Sequence, residues 1–336
     1  MRRIISMLLI VSLSFCFVSC SKSNKNGETS SFSTDALTST ETVVETTEKN
    51  SGKSGSSTVE NSAPAPSQMD NSTKALRAVY GKRTGTSKTY TGLEPLSEIE
   101  LPVVDPQNVR HLDETEIQHS FGVSKNGEPH EISVNNQKFY EKFGALSLDT
   151  SGEKVIYLTF DCGYENGCTE KILDTLKEKK VPAAFFVTLP HVKSCPELIA
   201  RMINEGHTVG NHSVNHPNFS KITRSQMAEE IEGLENYLRV HFGYSSPFFR
   251  FPEGACSESA LDLVQNARFK SVFWSSAYAD WDVNNLKGKE YAFDKVTSRL
   301  HPGCVLLLHA VSPDNADALG DIIDYAHSQG YSFKSL

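Results

Sequence analysis

The chain has 336 residues, with 33 Lys and Arg against 41 Asp and Glu, a net charge of -8 and a pI near 5.8. No basic stripe stands out, which excludes nucleic acid as the expected partner. The length suits two average domains, or one barrel with appendages.

Arg2 and Arg3 precede an apolar run from Ile4 to Val18. A basic start and a short apolar centre make a secretory signal. Phe17-Val18-Ser19-Cys20 resembles a bacterial lipobox with Phe in the usual Leu place. Residues 1–20 are therefore expected to be a signal peptide of lipoprotein type, with Cys20 lipidated; ordinary secretion is the alternative. From Ser21 to Ala75 roughly two-fifths of the residues are Ser or Thr. Such a segment buries too little apolar surface to offset its ordering entropy. Leu76 to Pro106 carries no sustained period, so 21–106 is expected to be a disordered linker that holds a folded domain off a membrane or through a wall. Phe121, Phe139, Tyr140 and Phe143 mark residues 107–153 as an N-terminal extension of that folded domain.

Beyond Lys154 the pattern is regular. The apolar run from Val155 leads to Asp161, and a helix over Thr169–Lys180 places Ile172, Leu173 and Leu176 on one face. Ala183–Thr188 is a second strand, Pro196–Asn204 a helix stopped by Gly206, and Thr208–Asn211 a third strand. Thr223 and Gln226 form a capping box for a helix that reaches Val240 and ends at Gly243. Strands follow at Phe248–Phe251, Ser271–Trp274, Val305–His309 and Tyr331–Lys334, separated by helices near Ser259–Ala267, Ala292–Leu300 and Ala316–Ser328. Alternation of this kind predicts a parallel sheet with helical crossovers, closed or nearly closed into a barrel. The catalytic domain is expected over 154–336.

Chemistry in such folds sits at the C-terminal ends of the strands. Asp161 ends the first strand, His212 and His216 follow the third, Arg250 lies near the end of the fourth, Asp280 and Trp281 follow the fifth, and His309 ends the sixth. Two His separated by three residues suit one divalent cation, although Pro217 and the lack of a following Glu exclude a zincin helix. A buried Arg250 needs a carboxylate partner, and Asp161 is the obvious one. His309 reads as a core histidine or as a general acid set by Asp280. Of seven Cys, Cys162, Cys168, Cys195, Cys256 and Cys304 lie beyond the signal segment, an odd set that makes no disulfide framework.

Taken together, TFDCGYENG, HSVNH, RFPEG, ADW and LLLHAVS resemble the motifs of NodB-type polysaccharide deacetylases, carbohydrate esterase family four. Within that family the resemblance is to the delta-lactam-biosynthetic de-N-acetylases, which act on N-acetylmuramic acid, and it covers about Ser120 to Leu336. It implies a distorted barrel of seven β/α units and a divalent metal, zinc ahead of cobalt or manganese. Asp161 is implied as general base, His212 and His216 as metal ligands, Arg250 as the residue positioning Asp161, His309 as general acid and Asp280 as its tuner. The Glu253 amide takes the oxyanion position, while Trp281 and Tyr164 face substrate. The implied partner is the glycan strand of peptidoglycan.

Three positions depart from the broad family pattern. Cys162 stands where a second Asp serves as third metal ligand, so either its thiolate binds the metal or two His and water hold it with Cys162 a bystander. Glu253 replaces an aromatic or basic residue, and Ala277 replaces an acid upstream of the Asp-Trp pair. Two rival readings use the same residues: deacetylation of N-acetylglucosamine polymers, and a catalytically weak glycan-binding homologue.

Overall fold

The structure, a computed structural model, describes residues 89–336. The expected signal peptide, Cys20 and the Ser/Thr-rich part of the linker lie outside the described residues. Within them, strands and helices alternate. The strands are β1 (Ile117–Gln118), β2 (Val155–Cys162), β3 (Ala184–Val187), β4 (Thr208–Asn211), β5 (Phe248–Phe249), β6 (Ala255–Cys256), β7 (Lys270–Ser271), β8 (Cys304–His309) and β9 (Ser332–Phe333).

A seven-stranded sheet runs in the order β7-β5-β4-β3-β2-β8, with β9 beside the start of β2, and every pairing is parallel. Just past β7, Ser276 makes a single parallel bridge to Leu306 of β8, which brings the two edges of the curled sheet together. The result is the expected distorted barrel. The segment Leu146–Leu148 also spans the gap, with isolated bridges to Val272 on one side and Cys304 on the other, because the chain after Ser271 leaves strand conformation almost at once.

Alternation along β2 assigns the two faces. Ile156, Leu158, Phe160 and Cys162 join the large apolar cluster under the helices, with Ile172, Leu173 and Leu176 of the helix Thr169–Lys179. Tyr157, Thr159 and Asp161 point the other way, into the barrel, as a period of two requires. There a smaller cluster of Ala184, Phe186, Val272 and Val305 fills the interior. The sheet thus keeps its polar groups for one end of a closely filled barrel.

Helix limits follow local rules. Thr223 and Gln226 form the capping box that starts the helix Arg224–Phe242, and Gly243 ends it at φ 63°. The helices Glu131–Tyr140 and Leu189–Ser194 carry no clear apolar period and were absent from the sequence expectation. The last part of the expected linker is packed against the folded domain. Residues 89–106 are extended along the helix Arg224–Phe242, where Ile99 exchanges both backbone hydrogen bonds with the Asn236 amide and Leu101, 5% exposed, donates its N–H to Glu232. Isolated apolar residues on an extended strap leave no periodic signal. All five cysteines of the described region are buried free thiols.

Candidate active site

Asp161 is built into the barrel mouth from below. Arg250, fully buried, donates from Nη1 to Asp161 Oδ1 at 2.7 Å, from Nη2 to Thr159 Oγ1 at 2.9 Å and the Phe273 carbonyl at 3.2 Å, and from Nε to the Val272 carbonyl at 2.9 Å. Its guanidinium lies 4.1 Å from the centre of the Phe186 ring. Such a satisfied guanidinium is a fixed charge, and it fixes the carboxylate. Burial alone would raise the Asp161 pKa, but the charge of Arg250 and its hydrogen bond outweigh it and hold the carboxyl below its usual range. Asp161 is ionised, with Oδ2 turned toward the cleft.

The segment after β4 carries both expected imidazoles. His212 Nδ1 donates to the Arg250 carbonyl at 2.8 Å, so its Nε2 bears the lone pair and faces Asp161 Oδ2 at 3.7 Å. Burial pushes its pKa down to about 4, which keeps the ring neutral. His216 stands edge to face against His212, ring centres 4.8 Å apart. Its backbone is left-handed at φ 57°, as is that of Ser213 at φ 71°, and the His216 N–H donates to Ser213 Oγ at 2.9 Å. Left-handed backbone at a His is strain, and strain of this kind collects at functional sites. Two imidazoles with ring nitrogens facing the cleft, beside an ionised carboxylate, fit a divalent cation.

Across the mouth, β8 pairs in register with β2 so that His309 lies beside Asp161. His309 Nδ1 donates to Asp280 Oδ1 at 2.6 Å, and its backbone N–H to Asp280 Oδ2 at 2.8 Å. Asn315, also buried, adds an amide N–H to the same Oδ2 and another to the His309 carbonyl at 3.2 Å. Burial disfavours the charged ring, yet the bond to Asp280 and its charge overcome this and raise the His309 pKa. His309 Nε2 is left for the cleft.

These groups line a cleft of about 630 Å³ with Tyr164, Glu253, Trp274 and Trp281. Trp281 (62% exposed) and Tyr164 (50%) stand at the rim. Glu253 sits at φ 58°, ψ 2°, in a tight turn followed by Gly254 at φ 67°. The N-terminal extension holds that turn. β1 pairs antiparallel with β6, Gln118 Nε2 donates to the Glu253 carbonyl at 2.6 Å, and the His119 N–H to the Gly254 carbonyl at 2.9 Å.

One expected residue is not brought to the site. Cys162 is fully buried in the cluster beneath the helices, on the opposite face of β2 from Asp161, so the reading of its thiolate as third metal ligand is corrected. A period of two cannot put adjacent strand residues into one site. Its pKa is raised by burial and by neighbouring anions, as expected for a core thiol. Sequence reasoning missed Gln118, Trp274 and Asn315. Trp274 ends an apolar run just as Asp161 and His309 do, a signal open to reading; the other two have none.

A barrel whose strand ends offer a fixed carboxylate, an imidazole pair and a second carboxylate-bound imidazole defines a hydrolase. The polysaccharide deacetylase family pattern matches residues 149–272. The peptidoglycan-N-acetylmuramic acid deacetylase PdaA of Bacillus subtilis is 43% identical over 221 residues, 66% of this chain and 84% of that protein. The solved structure of PdaA superposes with a TM-score of 0.63 at 42% identity, covering 66% of this chain and 95% of that one. A family 4 carbohydrate esterase from Bacillus anthracis gives 0.55 at 39% identity, covering 67% and 95%. A peptidoglycan-N-acetylglucosamine deacetylase of Bacillus cereus is 33% identical over 204 residues, 58% of this chain and 72% of that protein. The chain belongs to the polysaccharide deacetylases, carbohydrate esterase family 4.

Proposed function

We propose that the protein hydrolyses the N-acetyl group of N-acetylmuramic acid in peptidoglycan. The observation that carries the reading is the placement, side by side at the mouth of one cleft, of an ionised carboxylate held by Arg250 and an imidazole held by Asp280. Amides resist hydrolysis because the carbonyl is a poor electrophile and the amine a poor leaving group. Asp161 Oδ2, the oxygen not held by Arg250, accepts a proton from the attacking water. His309 Nε2 donates one to the departing nitrogen. Acid–base groups so placed contribute on the order of a hundredfold to ten-thousandfold in rate. The Glu253 N–H, on a turn pinned by Gln118, serves the developing oxyanion. His212 and His216 would hold a divalent cation, zinc first and cobalt or manganese as alternatives. Such an ion supplies polarisation of the acetyl oxygen and a more acidic water. Trp281 and Tyr164 offer aromatic faces to the sugar rings at the rim.

The muramic acid reading is favoured over the glucosamine one by the higher identity to PdaA, 43% against 33%. It carries with it a role in forming muramic δ-lactam in spore cortex, on residues already stripped of peptide. The N-terminal pattern of residues 1–20 supports a location outside the cytoplasmic membrane, anchored through Cys20. Acetate release from peptide-free peptidoglycan glycan and from chitin oligomers, each with and without chelator, tests the reading. Release from the first and its loss with chelator are expected. No acetate with zinc, cobalt or manganese would sink it, and preference for chitin oligomers would favour the glucosamine reading.

A further inference from the structure

On the helix side of the sheet, behind the strand end that carries Asp161, a second set of metal-type donors meets. Glu165 lies in the loop after β2, His191 in the helix Leu189–Ser194, and Cys195 at the start of the helix Pro196–Asn204. One donor atom of each lies within 4.8 Å of the other two. His191 is fully buried and Cys195 is 8% exposed. The Cys195 Sγ to His191 Nε2 distance is 3.5 Å. Zn–S and Zn–N bonds of about 2.3 and 2.0–2.1 Å at a tetrahedral angle put the two ligand atoms about 3.5 Å apart.

A plain hydrogen-bonded core accounts for part of this cluster. Cys195 Sγ donates to the His191 carbonyl at 3.1 Å. It leaves His191 Nδ1 and Glu165 Oε2 buried with no hydrogen-bond partner, polar atoms of a kind native structures rarely strand. The Tyr164 carbonyl faces the His191 ring. A cation bound at Nε2 would place the proton on Nδ1, toward that carbonyl, the outer-shell arrangement usual for metal-bound imidazole. It would also engage the unpartnered carboxylate oxygen. Binding through the thiolate releases the thiol proton to solvent.

We propose that Glu165, His191 and Cys195 form a second divalent-metal site, of zinc type, distinct from the His212–His216 pair. Three protein donors leave a fourth position for water. The ion would tie the loop after β2, whose Tyr164 lines the cleft, to the junction of two short helices. Mixed thiolate, imidazole and carboxylate donors select zinc or cobalt over magnesium and calcium.

Cobalt(II) titration of the chelator-stripped full-length chain tests this without reference to activity. A thiolate-to-cobalt charge-transfer band in the near ultraviolet is expected, since the cleft pair offers no sulfur. The band should survive His212→Ala with His216→Ala, which halves the bound metal from two equivalents to one. It should survive Cys162→Ser and vanish in Cys195→Ser. In the unsubstituted chain, bound zinc should shield Cys195 but not Cys168 from alkylation, read by peptide mass, so that a variant that fails to fold does not decide the matter. Absence of the band in the unsubstituted chain overturns the proposal, as does a band that Cys162→Ser removes and Cys195→Ser leaves.

Discussion

Asp161 and His309 are neighbours in register on β2 and β8 but are tuned in opposite directions, and each owes its state to one partner. Arg250 spends its guanidinium on Asp161 Oδ1, Thr159 and two carbonyls, so the carboxylate cannot turn or take up a proton readily. Asp161→Asn keeps the shape and removes the base. Acetate release is expected to fall by about 10²–10⁴-fold with the circular dichroism spectrum unchanged. His309 must be protonated to act as an acid, so rate should fall as pH rises through its raised pKa. Asp280→Asn takes away the carboxylate charge that helps raise it. The alkaline limb of the pH–rate profile should therefore move to lower pH, with the acid limb in place. A profile that merely drops in height would assign Asp280 a purely structural role.

At the scale of elements, two short connections do more than join strands. The turn Pro252–Gly254 presents the Glu253 amide, and it is β1, from the N-terminal extension, that holds it. Gln118→Ala should lower kcat on peptide-free glycan while leaving the melting temperature close to that of the unsubstituted protein, because the bond lost is a partly exposed one. The turn into β8 is constrained differently. Gly303 has φ 70°, and a Cβ there would stand 1.8 Å from the Asp149 carbonyl oxygen. Gly303→Ala is expected to cost more than about 1 kcal/mol in urea unfolding, since both the backbone region and the space are denied to Ala. The strap of residues 89–106 along the helix Arg224–Phe242 buries Leu101 and belongs to the folded unit.

For the whole molecule, the buried neutral histidines set a pH limit. His119, His191 and His212 all have pKa values pushed down to about 4 by burial, against 6.5 unfolded. Between those values the unfolded chain binds protons that the folded chain refuses, so unfolding free energy rises with pH across the window and is lost as pH falls through it. Each histidine contributes about 1.4 kcal/mol per pH unit there. Urea unfolding of chelator-stripped protein at pH 4.5, 5.5 and 6.5 should show this slope, and a flat profile would mean that the rings gain protons without unfolding. The barrel keeps its few charged groups at one end, where Asp161, Arg250 and His309 compensate one another in a small apolar interior.

Much of this was legible in the order of residues. The apolar run from Val155 that leads to Asp161, helical spacing in Thr169–Lys179, and the cap at Thr223 are local properties, so the alternation of strands and helices and the polar residue at each strand end follow from the chain itself. The motifs built on Asp161, His212, His216, Arg250 and His309 pointed to the family before any geometry. Other features rest on contacts between residues far apart in sequence. That Gln118 bonds the Glu253 carbonyl, that Asn315 braces Asp280, and that residues 89–106 pack at all are of this kind. Such pairings leave no period and no spacing to read. The question of Cys162 was open in sequence, where it adjoins the base, and closed by the sheet. β2 turns Asp161 into the barrel and the next side chain to the helices, so adjacency along the strand became separation across it, and the thiol beside His191 and Glu165 is Cys195.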